Sequence, residues 1–239
     1  MSLFDNLKTD KSIEAEKDTL GGGGVLPTDA YDMVIDMAYV HMSKGGAMAI
    51  VLATKSQEGR NLKQTIYVSS GNAKGNKNYY MDKQGTKKYL PGFNIMNGIV
   101  QLTLDKDLGD IEPEERTISI YDFDAKKEKP TKAQVLTELI GQRIILGVQE
   151  QKVDKNIKDG NDNYVPSGET RMENEIVKVF QADTDLTVAE AKAGETEGKF
   201  KDKWVEKNQG KVRDKSTKDA SKTAGGTTND SKPAASIFG

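Results

Sequence analysis

The sequence predicts a mainly β fold with short helices, in which a small barrel carries long loop insertions. Three observations point there. Residues 29–42 and 62–69 alternate with period two, and 47–54 between them is apolar throughout. Turn residues separate these runs, Ser43-Lys44-Gly45-Gly46 and Ser56-Gln57-Glu58-Gly59. The stretches with helical spacing are short and lie among further strand patterns.

Residues 1–24 read as a flexible arm: Asp5 to Lys17 keeps no apolar period, and Gly21–Gly24 is a joint. In Asp29 to Met42, the positions Tyr31, Met33, Ile35, Met37, Tyr39 and His41 alternate with Asp32, Val34, Asp36, Ala38 and Val40. The first set is the expected core side, and the length implies a curved or bulged strand. Ala47 to Thr54 suits a buried second strand. In Leu62 to Ser69, Leu62, Ile66 and Val68 take one face, and Lys63, Thr65, Tyr67 and Ser69 take the other. Lys63 and Tyr67 are thus expected to project together from the outer face.

Ser70 to Gly92 reads as a long loop with a short helix around Lys77 to Met81. Phe93 to Leu104 has helical spacing, and an acidic loop with Pro113 follows. Arg116 to Phe123 is a strand. Thr131 to Ile140 reads as a helix, with Thr131 as N-cap, Gln134 as its capping-box partner and Gly141 at the C-cap. Gln142 to Lys152 and Arg171 to Phe180 are strands joined through the turn signal Asp159-Gly160. Leu186 to Ala193 is a short helix, and Phe200 to Asn208 carries Phe200, Trp204 and Val205 at helical spacing. From Gly210 to Gly239 the composition is that of a disordered tail, with Ile237 and Phe238 at its tip. The expected division is an arm at 1–24, one domain at 25–209 and a tail at 210–239. Within the domain, a helix before the fourth strand of a five-stranded barrel is the order of the oligonucleotide/oligosaccharide-binding (OB) fold.

Composition narrows the chemistry. There is no cysteine, so disulfides, thiolate zinc sites and cysteine nucleophiles are excluded. No apolar run is long enough for a membrane helix, so no membrane partner is expected. Gly71 to Lys77 has only three residues between its glycines and lacks the Lys-Ser/Thr of a phosphate loop. The Asp105 and Asp154 regions begin like calcium loops, but their glycine and glutamate positions are wrong. His41 is the sole histidine and reads as structural, and no nucleophile motif surrounds any Ser or Thr. The expectation is a protein without catalysis, cofactor or metal.

What remains is a basic, aromatic stretch. The formal net charge of −2 conceals it. Arg60, Lys63, Lys74, Lys77, Lys83, Lys87 and Lys88 lie between residues 60 and 93 with one acid, Asp82. Tyr67, Tyr79, Tyr80, Tyr89 and Phe93 are set among them. Cations neutralise phosphates, and flat rings stack on bases of any identity. The plain alternative is a solvated basic loop with a few core tyrosines. Phe93, at the head of a helix, is the ring most suited to the core.

At Ser69-Ser70-Gly71-Asn72-Ala73-Lys74-Gly75-Asn76-Lys77-Asn78-Tyr79-Tyr80 the chain resembles the single-stranded DNA-binding proteins of lytic podophages of the Schitoviridae. Met1-Ser2-Leu3-Phe4, Leu26-Pro27-Thr28-Asp29, Leu90-Pro91-Gly92-Phe93, Leu139-Ile140-Gly141-Gln142 and Lys201-Asp202-Lys203-Trp204 extend the likeness to about Trp204. The resemblance implies coating of single strands during phage replication and recombination, in the cytoplasm of an infected bacterium. It also implies a C-terminal tail that contacts replication or recombination proteins, or host RNA polymerase. A protein-interaction adaptor or transcription coactivator acting through Ile237 and Phe238 is the alternative. Residues 210–239 carry six bases and three acids, so the acidic character of bacterial-type tails is missing.

Overall fold

A computed structural model describes residues 24–122, 125–160 and 164–217. The expected arm, apart from Gly24, and the tail tip with Ile237 and Phe238 lie outside them. In chain order the elements are β1 (Asp29–Met42), β2 (Met48–Lys55), β3 (Asn61–Tyr67), β4 (Tyr79–Met81), β5 (Lys87–Tyr89) and α1 (Pro91–Leu104). Then come β6 (Glu114–Asp122), β7 (Lys127–Val135), β8 (Arg143–Lys158), β9 (Tyr164–Gln181), α2 (Val188–Lys192), α3 (Phe200–Asn208) and β10 (Arg213–Asp214). The protein is mainly β, and its sheet is antiparallel except where β10 joins β8.

β1 is the hub. Its first half pairs with β8 and its second half with β2. The register shifts between Ile35 and Met37, where Gly141 N–H also bonds to Ile35 O. One extra residue reverses the alternation. Met33 and Ile35 are buried in the main core, but beyond the shift Ala38 points inward. The expectation of a single core side from Tyr31 to His41 is therefore corrected: Met37, Tyr39 and His41 lie on the other face, and His41 is exposed.

The main core fills the space between the sheet and α1, with Leu52, Met96, Ile99, Leu136, Leu139, Ile144 and Leu146. Gly92 sets how closely α1 meets β3, because a Cβ there would lie 2.2 Å from Tyr67 O. A second cluster covers the opposite face of β1 and β2. There the β6–β7 hairpin lays Ile118, Ile120 and Ala133 over Tyr39, Val51 and Val135.

Two expected helices are strands. Thr131 to Val135 belongs to β7, and only Thr137–Leu139 turns helically, as a single 3-10 turn. Ala133 and Val135 follow period two and meet the second cluster, while Leu136 and Leu139 turn to the first. Cross-strand pairing with β6 outweighs the weak local capping signal. The helix expected around Lys77 to Met81 is instead β4, paired with β5. The tail boundary also moves. Gly210 N–H bonds to Thr28 O, Arg213 and Asp214 pair in parallel with Gln151 and Lys152, and Thr217 Oγ1 donates to Asp154 Oδ2 (2.6 Å).

The expected closed barrel is not formed. β3 and β9 face each other, but no backbone ladder joins them. Instead the Gln64 side chain reaches across, its Oε1 accepting from Ile176 N–H at 2.8 Å. A side-chain acceptor occupies the place of a strand carbonyl, so the sheet stays open at this seam.

Two side chains act as clamps on the chain's connections. Asn174 holds both backbone groups of Leu26: it accepts from Leu26 N–H (2.8 Å) and donates to Leu26 O (2.7 Å). Asn174→Ala is expected to lower stability by about 1–3 kcal/mol, two net hydrogen bonds, as read by urea unfolding. Glu190 accepts from the backbone N–H groups of Thr187, Lys199 and Phe200. These bonds, led by that of Thr187, hold its carboxyl at about 2, below its ordinary 4.5. A depressed folded-state pKa gives stability that is full above the ordinary value and lost as pH falls through the folded value. Thermal melts should therefore show a loss between about pH 4.5 and 2 that is smaller in Glu190→Gln.

Candidate nucleic-acid interface

The run Ser69 to Lys77 folds into a compact loop because its small polar residues bond to one another. Ser70 N–H donates to Lys77 O, Lys77 N–H donates to Ser70 Oγ, and Asn76 Nδ2 donates to Asn72 Oδ1. A single 3-10 turn, Asn72–Lys74, is ended by Gly75 in the left-handed region at φ 77°. The loop is fastened to the β1–β2 turn by Asn72 N–H on Gly45 O (2.8 Å). That contact requires Gly71, where a Cβ would stand 2.7 Å from Gly45 O.

From this base the β4–β5 hairpin projects, with Tyr79 opposite Tyr89, Tyr80 opposite Lys88 and Met81 opposite Lys87. Directly opposed residues share a face of a two-stranded sheet, and neighbours along a strand alternate. Tyr79, Tyr89, Met81 and Lys87 therefore occupy one face, and Tyr80 and Lys88 the other. Tyr79 is half-buried beneath two ammonium groups, Lys87 Nζ at 5.0 Å and Lys77 Nζ at 5.7 Å from its ring centre. Tyr89 is 56% exposed and tilts against Phe93 with ring centres 5.0 Å apart. Phe93 packs against the main core, so it supports Tyr89 more than it offers a surface of its own.

The turn of this hairpin is built on Asp82. Its Oδ1 accepts from Gln84 and Thr86 N–H, and its Oδ2 pairs with Lys88 Nζ at 2.8 Å. Lys88, followed by the backbone of Thr86 and Gln84, holds the Asp82 carboxyl below its ordinary value. Lys88 is thus partly neutralised within the protein, whereas Lys83 lies exposed at the turn.

The other expected site residues lie on or beside β3. Lys63 is exposed on the outer face, opposite Ala53, and Tyr67 is half-buried opposite Ala49, at the end of the strand nearest the basic loop. Met48 N–H donates to Ser69 Oγ there, tying that end of β3 to β2. Arg60 is at the other end, roughly 20 Å away along an extended strand. It pairs with Glu58 (3.2 Å) and lies over the Tyr31 ring at 5.6 Å. The expected set therefore divides. Lys74, Lys77, Lys83, Lys87, Lys88, Tyr79, Tyr80 and Tyr89 share one projection, Lys63 and Tyr67 share the neighbouring strand face, and Arg60 stands apart.

The sequence reading missed a second projection. β8 and β9 continue past the body as a long arm, where Tyr164 is 70% exposed and Lys158 Nζ lies 5.9 Å from its ring centre. The available signal was Tyr164 just after Asp159-Gly160, with Lys155 and Lys158 just before. Among the described residues no group of three or more His, Asp or Glu side chains is placed to hold a metal ion. No helix among them is long and apolar enough to cross a membrane. No family model, curated protein or solved structure matches the chain.

Proposed function

We propose that the chain is a single-stranded DNA-binding protein that coats strands without strong sequence preference. The observation that carries this reading is the β4–β5 hairpin, where Lys87 and Lys88 stand beside the exposed rings of Tyr80 and Tyr89 on a projecting, hydrogen-bonded scaffold. Lysines neutralise phosphates, and Tyr80 and Tyr89 offer ring faces to bases, each stack contributing roughly 1–3 kcal/mol. The order β1-β2-β3, α1, β8, β9, with β1 between β2 and β8, supports an OB plan with one seam open. The β4–β5 and β6–β7 hairpins are then insertions into it. Taken with the Schitoviridae resemblance, the setting would be phage DNA replication and recombination in the infected cell.

The test is fluorescence polarisation of labelled oligo-dT and of a duplex of equal length at two salt concentrations. Tight, salt-sensitive binding to oligo-dT with weak duplex binding is the expected result. Equal affinity for both, or affinity independent of salt, overturns the reading.

A further inference from the structure

The seam between β3 and β9 is pinched at one point, where Gln64 Oε1 accepts from Ile176 N–H (2.8 Å). That contact leaves no room for another strand. From the pinch a cleft of about 630 Å³ runs back to Asn61 on β3 and Arg171 on β9. Its volume is that of a small-molecule site, about 300–1,000 Å³. A flat ring can enter such a wedge edge-on where a backbone cannot.

β3 is the last strand on its side of the sheet. Its bonded pairs with β2 are marked at both ends: Ser56 N–H donates to Arg60 O (2.8 Å) and Val68 N–H donates to Met48 O (2.9 Å). Bonded positions alternate along an antiparallel strand, so Leu62, Gln64 and Ile66 also turn their backbone groups to β2. Asn61 and Lys63 therefore turn their N–H and C=O groups into the cleft, where no strand meets them among the described residues. The N–H and C=O of one such residue present a donor beside an acceptor. That pair complements the Watson–Crick edge of any base, which carries an acceptor beside a donor. On the opposite wall Gln151 is 4% exposed, and its Oε1 has no hydrogen-bond partner among the described residues.

The acids of that wall are neutralised within the protein, so they do not repel a polyanion. Glu173 accepts from Gln151 Nε2 (3.0 Å) and Arg171 Nη2 (2.9 Å), and Lys215 Nζ lies 2.6 Å from Glu175 Oε2. On the β3 side the Lys63 side chain is exposed on the outer face, which also carries Tyr67 toward the basic loop. A strand following that face from Tyr67 to Lys63 passes the mouth of the cleft.

We propose that the β3–β9 seam is a nucleobase pocket. One base of the bound strand turns edge-on into it and bonds to the N–H and C=O of Lys63, while the Lys63 ammonium holds the adjoining phosphate. Because every base carries the required edge, the pocket adds affinity without strong sequence preference. The inference rests on the single-stranded DNA reading, and it adds a hydrogen-bonded base to those stacked on the hairpin.

The probes are oligo-dT and the same oligonucleotide methylated at N3 of every base, which keeps the rings and phosphates but blocks the donor edge. Residue-resolved amide exchange should show Asn61 and Lys63 fast in the free chain and slowed by oligo-dT but not by the methylated strand. The unsubstituted chain should bind the methylated strand about three- to tenfold more weakly, the worth of one or two hydrogen bonds. Lys63→Ala should keep that difference, because it removes only the charge. Lys63→Pro, tolerated on an edge strand, removes the N–H and should abolish it. The exchange measurement needs no variant to fold. Slow exchange of Asn61 and Lys63 in the free chain overturns the proposal, since the seam is then already filled. Equal affinity for the two strands, or oligo-dT binding that leaves both amides fast, overturns the pocket and leaves the DNA reading standing. Failure of the unsubstituted chain to bind oligo-dT overturns both.

Discussion

Replacing Lys74, Lys77, Lys83 and Lys87 together by alanine should flatten the salt dependence of oligo-dT binding. Each phosphate contact to a single strand contributes roughly 0.7 to the slope of log affinity against log salt, so four would remove close to 3. Lys88 is left in place because it belongs to the Asp82 hub that shapes the turn. The chosen lysines sit on the loop and hairpin rather than in the core, so the body should remain folded. Lys77 and Lys87 also cover the Tyr79 ring, and their loss exposes it. The slope therefore separates charge from stacking: stacking changes affinity at all salt concentrations, whereas a phosphate contact changes the slope. An unchanged slope would remove the hairpin from the interface.

Phe180→Ala is expected to cost about 3–5 kcal/mol of folding stability, the range for truncating a fully buried aromatic ring. Phe180 is fully buried, opposes Ile145 across the β8–β9 pair and meets Trp204 of α3 with ring centres 6.3 Å apart. Gly147 lies beside this contact, where a Cβ would crowd Lys178 Cβ at 2.9 Å and touch both rings at 3.4 Å. Alanine would open a cavity between the sheet and α3, whose buried residue is Trp204. Guanidinium unfolding followed by Trp204 fluorescence reads the loss directly. A loss under about 1 kcal/mol would mean that α3 docks by other contacts.

Sequence and structure agree most closely where a local pattern and its tertiary surroundings ask for the same thing. The first three strands, α1 and α3 were legible because alternation or helical spacing coincided with burial. The outward pair Lys63 and Tyr67 followed from period two alone. Thr131 to Ile140 was not legible, because its apolar residues serve two cores: Val135 meets Tyr39, while Leu136 and Leu139 turn to the main cluster. A run divided between two cores imitates a helical stripe. The β4–β5 hairpin was missed because its strands are three residues each, too short to show a period.

By itself the sequence determined the mainly β class, the order of the principal elements, and the concentration of lysine and tyrosine between residues 60 and 93. Those properties rest on side-chain alternation and composition, which each segment carries locally. Tertiary structure decided which of these residues stand together. The register of β4 against β5 parts Tyr80 from Tyr79 and Tyr89, and Asp82 claims Lys88. The bulge after Ile35 moves Met37, Tyr39 and His41 to the other face. Gln64, reaching Ile176, leaves the sheet open where closure was expected. Each outcome depends on pairing between residues distant in sequence, and a local period carries no record of its partner.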